Sequence, residues 1–171
     1  MSTEHGFSEH LMKMVREWYE DDDVVKRLKK IKEFMKREKT ERDWKPQYDD
    51  IEAEVTCMLI MGMGCKKIYE FSPCGGWSTM YMLQALSGAE DGVVHTFDLV
   101  GVCEENIKSY PEVYKKLRFY QGDVSERWAE FDMAMDYLFI DSDHSREFAR
   151  KYVEELLKPL LQRCRAAVSY T

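Results

Sequence analysis

KIYEFSPCGGWSTMYML, residues 67–83, is the stretch that decides the fold. Ile68 to Phe71 are apolar except for Glu70. Ser72, Pro73, Cys74, Gly75 and Gly76 follow, and Trp77, Ser78 and Thr79 then lead into a run rich in Met, Tyr and Leu. A short apolar stretch, a burst of small residues and a longer apolar stretch predict a strand, a tight turn and a helix. Small residues at such a turn let the backbone approach a ligand closely. The helix behind it offers N–H groups with no partner inside the helix. Glycine-rich turns also occur purely as turns, so the weight must come from the rest of the chain.

The same rhythm continues to the end. Strand-like segments VVHTFDL, LRFYQGD, DYLFIDSD and AAVSYT follow KIYEF. Helical stretches separate them: to about Leu86, near Glu104–Ser109, near Ser125–Ala129 and over about Arg146–Leu157. Strands alternating with helices predict right-handed βαβ units and a parallel sheet covered on both faces. The runs YLFI and AAV lack alternation, as strands buried on both sides do. The expected fold is α/β: a Rossmann-like, doubly wound, mainly parallel sheet of about five strands.

In such a sheet ligands bind beyond the carboxyl ends of the strands, where the strand order reverses. Glu70, Asp98, Asp123 and Asp141 each end a strand, so four carboxylates are expected at one sheet edge. An acid after the second strand is placed to accept hydrogen bonds from a ribose diol, and one after the third could meet an adenine amino group. The plain alternative is that acids end strands and cap the helices that follow. That accounts well for any one of the four and less well for all together.

Residues 1–47 read as a helical extension and 48–171 as the Rossmann-like domain, the two forming one compact unit. Ser8 is a candidate cap for a helix running to about Glu20. EDDD, residues 20–23, breaks it and supplies negative charge to the next helix N-terminus. From Val24 the residues Val25, Leu28, Ile31, Phe34 and Met35 recur at helical spacing among eight Lys and Arg between Lys26 and Lys39. A solvated lysine face on a packed helix is the expected reading, with an acidic partner or a phosphate as the alternative. Pro46 breaks the pattern, and a helix resumes near Tyr48 or Asp49 and ends near Gly62–Gly64.

At 171 residues the chain is long enough for one core. Its 44% hydrophobic and 33% charged content is that of a soluble globular protein. A net charge of −7 argues against nucleic acid as the main partner. No apolar run is long enough for a membrane span, and MSTEHGFSEH lacks the pattern of a secretory leader. The five cysteines are odd in number and form no CxxC pair, which points to a reducing cytoplasm rather than a disulfide framework. The eleven methionines read as core filler.

EFSPCGGWST and DYLFIDSDHSREFARKYVEELLKPLL together resemble the class I S-adenosylmethionine-dependent methyltransferases, and within them the small-molecule O-methyltransferase-like, macrocin-type branch. That branch carries an acid, a glycine-rich turn and Ser-Thr. It also has a strand ending in Asp followed by Gly/Ser-Asp-His and a helix. The likeness runs from about Tyr48 to the C-terminus. It implies that Glu70, Ser72, Gly75 and Gly76 line the methionine and ribose part of S-adenosylmethionine, with Ser78 nearby at the helix N-terminus. It further implies that Asp98 holds the ribose hydroxyls, that Asp123 and Val124 border the adenine, and that Asp141 faces the reacting methyl group. The family's first two turn glycines are Ser72 and Cys74 here, residues that carry a penalty at positive φ. The family also continues past its fifth strand with a helix and an antiparallel strand pair, whereas this sequence stops at Thr171. Either the sequence is a fragment of a longer chain or its last strand is an open edge that invites pairing; in the second case a homo-oligomer through the C-terminal edge strand or the N-terminal helices is the expectation.

Methyl transfer to a hydroxyl requires alignment with the methyl group and removal of a proton. Asp141, Asp143 and His144 are the cluster suited to it, with His144 as base and Asp141 orienting it or polarising the acceptor. Structural hydrogen bonding at a helix start is the competing role for His144. Some related enzymes hold Mg²⁺. Asp141 and Asp143 could supply two oxygen ligands, but Ser169, Tyr170 and Thr171 are poor ones, so a metal is not expected. The expected function is methyl transfer to a small hydroxylated acceptor in the cytoplasm. The alternative is a partner subunit that binds cofactor without catalysis. A nicotinamide enzyme ranks last, because SPCGGW does not supply GxGxxG.

Overall fold

A computed structural model of the chain describes residues 3–42, 44, 46, 48–128, 131 and 134–162. Three helices come first: α1 (Thr3–Glu20), α2 (Asp22–Glu41) and α3 (Asp50–Gly62). Ser8 does not cap α1, which begins five residues earlier in the sequence, at Thr3. Between Thr3 and Ser8 the one weak helix former is Gly6, whose cost of about 1 kcal/mol does not stop a propagating helix. The acidic break behaves as expected. Asp21 caps α2 by accepting the N–H groups of Asp23 and Val24 at 2.9 and 3.1 Å. Asp49 and Glu52 form a capping box at the start of α3.

Among the described residues four strands follow: β1 (Lys67–Phe71), β2 (Val93–Asp98), β3 (Leu117–Gln121) and β4 (Tyr137–Ile140). They form one parallel sheet in the order β3-β2-β1-β4. Helices α4 (Trp77–Ala85), α5 (Val102–Ile107), α6 (Pro111–Tyr114) and α7 (Arg146–Tyr152) connect or flank them. The helix expected over Ser125–Ala129 is a single 3₁₀ turn at Val124–Glu126, set by Asp123, which accepts the Ser125 N–H at 2.8 Å; Ala129 lies outside the described residues. The last helix starts at Arg146 as expected, passes into π-type winding over Val153–Leu157 and continues beyond the expected end to residue 162, the last one described. The AAVSYT segment, expected as a fifth strand, also lies outside the described residues.

Register divides the sheet into two faces. Ile68, Val94, Leu117, Phe119, Tyr137 and Phe139 pack with α2, α3 and α4. Tyr69, Phe71, Phe97, Leu138 and Ile140 pack with Trp128, Phe131, Phe148 and Leu156. β1 is thus covered on both sides, which is why IYEF does not alternate. β4 was expected to be equally enclosed, yet all four of its residues are half-buried. Like β3 it is an outer strand among the described residues, with β1 as its one paired neighbour.

The helical extension shares this core. Val24, Leu28, Ile31 and Met35 of α2 are buried with the sheet, while Lys26, Lys29, Lys30, Lys36 and Lys39 are exposed. Arg27 donates to the Ala85 carbonyl at 2.8 Å, at the C-terminal end of α4, where a cation is favoured. Glu38 is buried and accepts from Arg37, Arg42 and the Tyr110 hydroxyl, tying α2 to the start of α6. Met35 is fully enclosed. Met35→Ala is expected to lower the unfolding free energy by about 2–5 kcal/mol in one cooperative transition, read by urea denaturation.

Candidate active site

The chain leaves β1 at Phe71 and enters α4 at Trp77, so five residues must make the reversal. They do so with three left-handed residues: Ser72 at φ 59°, Cys74 at φ 52° and Gly76 at φ 89°. Glycine carries no penalty there, whereas an L-residue carries about 1–2 kcal/mol. A net hydrogen bond contributes about 0.5–1.5 kcal/mol, so the turn needs several. The Ser72 N–H donates to the Phe97 carbonyl and the Gly76 N–H to the Pro73 carbonyl, both at 2.8 Å. The Cys74 N–H donates to Asp98 Oδ2 at 3.0 Å, and Asn106 Nδ2 donates to the Gly75 carbonyl at 2.9 Å. Gly76 cannot be exchanged as Ser72 and Cys74 have been: a Cβ there would lie 3.0 Å from Cys103 Sγ and 3.4 Å from its Cα.

Glu70 stands behind this turn. Its side chain is wholly buried and accepts the hydroxyls of Ser78 and Thr79, in the first turn of α4, at 2.5 and 2.6 Å. Burial pushes its carboxyl above the usual range, while the two hydroxyls favour the anion and pull the other way. Glu70 therefore fixes the start of α4 against the end of β1.

A cleft of about 710 Å³ opens where the exits of β1 and β4 diverge. This is the point where strand order reverses, since the chain runs outward through β2 and β3 before crossing back to β4. Ser72, Pro73, Cys74, Gly75 and Ser78 form one wall, and Asp141, Ser142, Asp143 and His144 form a second. Arg42, Trp44, Pro46 and Tyr48, from the segment between α2 and α3, close a third side. His144 Nε2 lies 3.7 Å from Asp141 Oδ1, and both side chains are largely exposed. Asp143 accepts the Ser145 N–H at 2.9 Å and its hydroxyl at 2.7 Å; these bonds hold its carboxyl below the ordinary value. Ser145 in turn caps α7.

Ser72, Gly75, Ser78, Asp141 and His144 thus meet in one cleft, with Gly76 buried directly behind Gly75. The other acids reach the same sheet edge but not its lining. Glu70 is enclosed beneath α4. Asp98 accepts the Cys74 and Val100 N–H groups beside the turn. Asp123 caps the 3₁₀ turn, and its carboxyl is held low by Ser125; Val124 is buried next to it. Four acids at one sheet edge is the expectation, and of the four Asp141 lines the cleft. The reason is that β2 and β3 lie on the far side of β1 from the switch point. Sequence reasoning missed Asn106, Trp44 and Tyr48, which reach the site from outside the strand ends and belong to no local pattern. Among the described residues no group of three His, Cys, Asp or Glu is placed to hold a metal ion, and no helix is long and apolar enough to cross a membrane.

A family model described as a methyltransferase domain matches residues 73–165, more than half of the chain. No curated protein matches it. Among solved structures, the O-methyltransferase TomG from Streptomyces achromogenes, in complex with S-adenosylmethionine, aligns with a TM-score of 0.54 and 16% identity, over 75% of this chain and 59% of TomG. A Staphylococcus aureus protein provisionally assigned as a caffeoyl-CoA O-methyltransferase aligns at 0.56 and 20%, over 89% and 66%. The O-methyltransferase from Bacillus cereus, in complex with S-adenosylhomocysteine, aligns at 0.57 and 18%, over 78% and 60%. At these identities the likeness carries the fold. This chain spans less than two thirds of the length of each of the three.

Two measurements probe the turn. Cys74→Gly removes a penalty of about 1–2 kcal/mol and adds roughly 0.4–1 kcal/mol of unfolded-chain entropy. It is expected to raise stability slightly in urea denaturation, and Gly76→Ala to lower it. Glu70 supplies a pH signature. A carboxyl whose folded pKa is raised supports folding below its unfolded value of about 4.3. That support is lost as pH rises through the folded value. As pH rises above that unfolded value the wild type should therefore lose urea resistance relative to Glu70→Gln.

Proposed function

This chain belongs to the methyltransferase-domain family, and on that premise we propose that it transfers the methyl group of S-adenosylmethionine to the oxygen of a small hydroxylated acceptor. The observation that carries the proposal is the cleft at the switch point, where a tight turn of small residues faces Asp141 and His144. The residues fit such a cofactor. Ser72 and Ser78 offer hydroxyls, and Gly75 leaves its backbone open to close approach. Two buried polar atoms on cleft-lining residues, Trp77 Nε1 and Ser142 Oγ, find no partner among the described residues. Beside Asp98 the exposed apolar side chains of Leu99 and Val100 offer a surface for the adenosine end.

S-adenosylmethionine, when bound, supplies a methyl group activated by its sulfonium sulfur. The roles left to the chain are positional and acid–base. Ser72, Gly75, Gly76 and Ser78 would hold the methionine end, Asp98 the ribose, and Asp123 with Val124 the adenine. Asp141 would orient the acceptor hydroxyl beside the methyl group, and His144 would take its proton at Nε2, a transfer of the kind worth about 10²–10⁴ in rate. Trp44, Pro46 and Tyr48 would close the outer wall and limit water. A homo-oligomer and a cytoplasmic location remain parts of the proposal that solution size and localisation measurements address.

Titration calorimetry with S-adenosylmethionine and S-adenosylhomocysteine, followed by a product assay on hydroxylated acceptors, tests the reading. Micromolar binding is expected. Asp98→Ala should weaken it at least about tenfold, equivalent to about 1.4 kcal/mol. Asp141→Asn should retain S-adenosylhomocysteine binding and lose methyl transfer. Absence of binding heat in the wild type would end the proposal.

A further inference from the structure

Two peptide groups of the β1 exit turn, on either side of the Cys74–Gly75 peptide, are tied from one side. The Cys74 N–H is held by Asp98, at the end of β2, and the Gly75 carbonyl is held by Asn106, on α5. Both tethers come from the segment 98–106, and Gly76 is backed by Cys103 of the same segment. Between them stands Cys74, a non-glycine residue at φ 52°. The strain at such a residue and the net worth of one hydrogen bond are of the same size, so removing one tether is enough to let the turn relax.

We infer that Asn106 is a positioning residue for the cofactor: through the Gly75 carbonyl its carboxamide keeps the turn's backbone in the arrangement that receives the ligand. This rests on the reading that the cleft takes S-adenosylmethionine. Asn106 itself borders the cleft, so its loss acts at the ligand wall and not at a distance. A carboxamide suits the task because one end donates to a carbonyl. A carboxylate of the same size would set an acceptor against an acceptor.

Asn106→Asp and Asn106→Ala are the variants, each compared with the wild type in two ways. The first is calorimetric titration with S-adenosylhomocysteine. The second is ligand-free amide exchange over residues 72–80, read by mass spectrometry, with thermal melting as the control for folding. Expected are a loss of affinity of about tenfold in Asn106→Asp and a smaller one in Asn106→Ala, of about 1.4 kcal/mol at most. Exchange at the Cys74 and Gly76 amides should be faster by about fivefold or more in Asn106→Asp, with β1 and β2 unchanged. Wild-type affinity in both variants, or unchanged exchange at Cys74 and Gly76, overturns the inference while leaving the cofactor reading in place. If the wild type takes no S-adenosylhomocysteine but exchange still rises, the cofactor reading fails and the positioning role falls with it.

Discussion

A central parallel strand must hand the chain to a helix lying across its own face, and here it has five residues in which to do so. That constraint forces left-handed backbone at Ser72, Cys74 and Gly76. Much of the surrounding architecture holds the result in place. Glu70 fastens the helix start from below, Asp98 and Asn106 fasten the peptide groups from the side, and Phe97 receives the first N–H. The cleft is the space left over once the turn is fixed and β4 has been placed on the opposite side of β1.

The sequence made the framework legible because two periods are plain in it. Short apolar runs ending in acids marked all four strands of the sheet, and helical spacing from Val24 to Met35 marked the face of α2 that is buried. The acids are legible as strand ends, but which of them lines the cleft is not. Strand-end position is local information, whereas membership of a pocket depends on strand order. β1 and β4 being neighbours brings Asp141 to Ser72, and β2 and β3 lying beyond β1 sends Asp98 and Asp123 to other partners. The left-handed residues show the complementary case. Ser72 and Cys74 look like departures from a glycine pattern, and the fold imposes the glycine conformation on them regardless, because the reversal leaves no other path. Asn106, Trp44 and Tyr48 could not have been found by spacing, since each reaches the cleft through tertiary packing.

The helical extension has two faces with different work. Its apolar side completes the core over one sheet face, and its lysines remain in solvent, as amphipathic spacing dictates. Glu38 sits where those faces meet. Arg37, Arg42 and Tyr110 surround it, so its charge is compensated, and its carboxyl is held below the ordinary value although burial alone would raise it. Arg42 thereby joins the extension to the Rossmann-like body at the rim of the cleft.

Because one wall of the cleft is built by the segment that follows α2, any small molecule bridging that wall and the strand exits is also a fastener between the two regions. Mass action then makes occupancy part of folding: a ligand present at a hundred times its dissociation constant adds about 2.7 kcal/mol to the folded state. Departure of the extension and departure of the ligand become one linked equilibrium, so the protein's resistance to heat would track the supply of whatever fills the cleft.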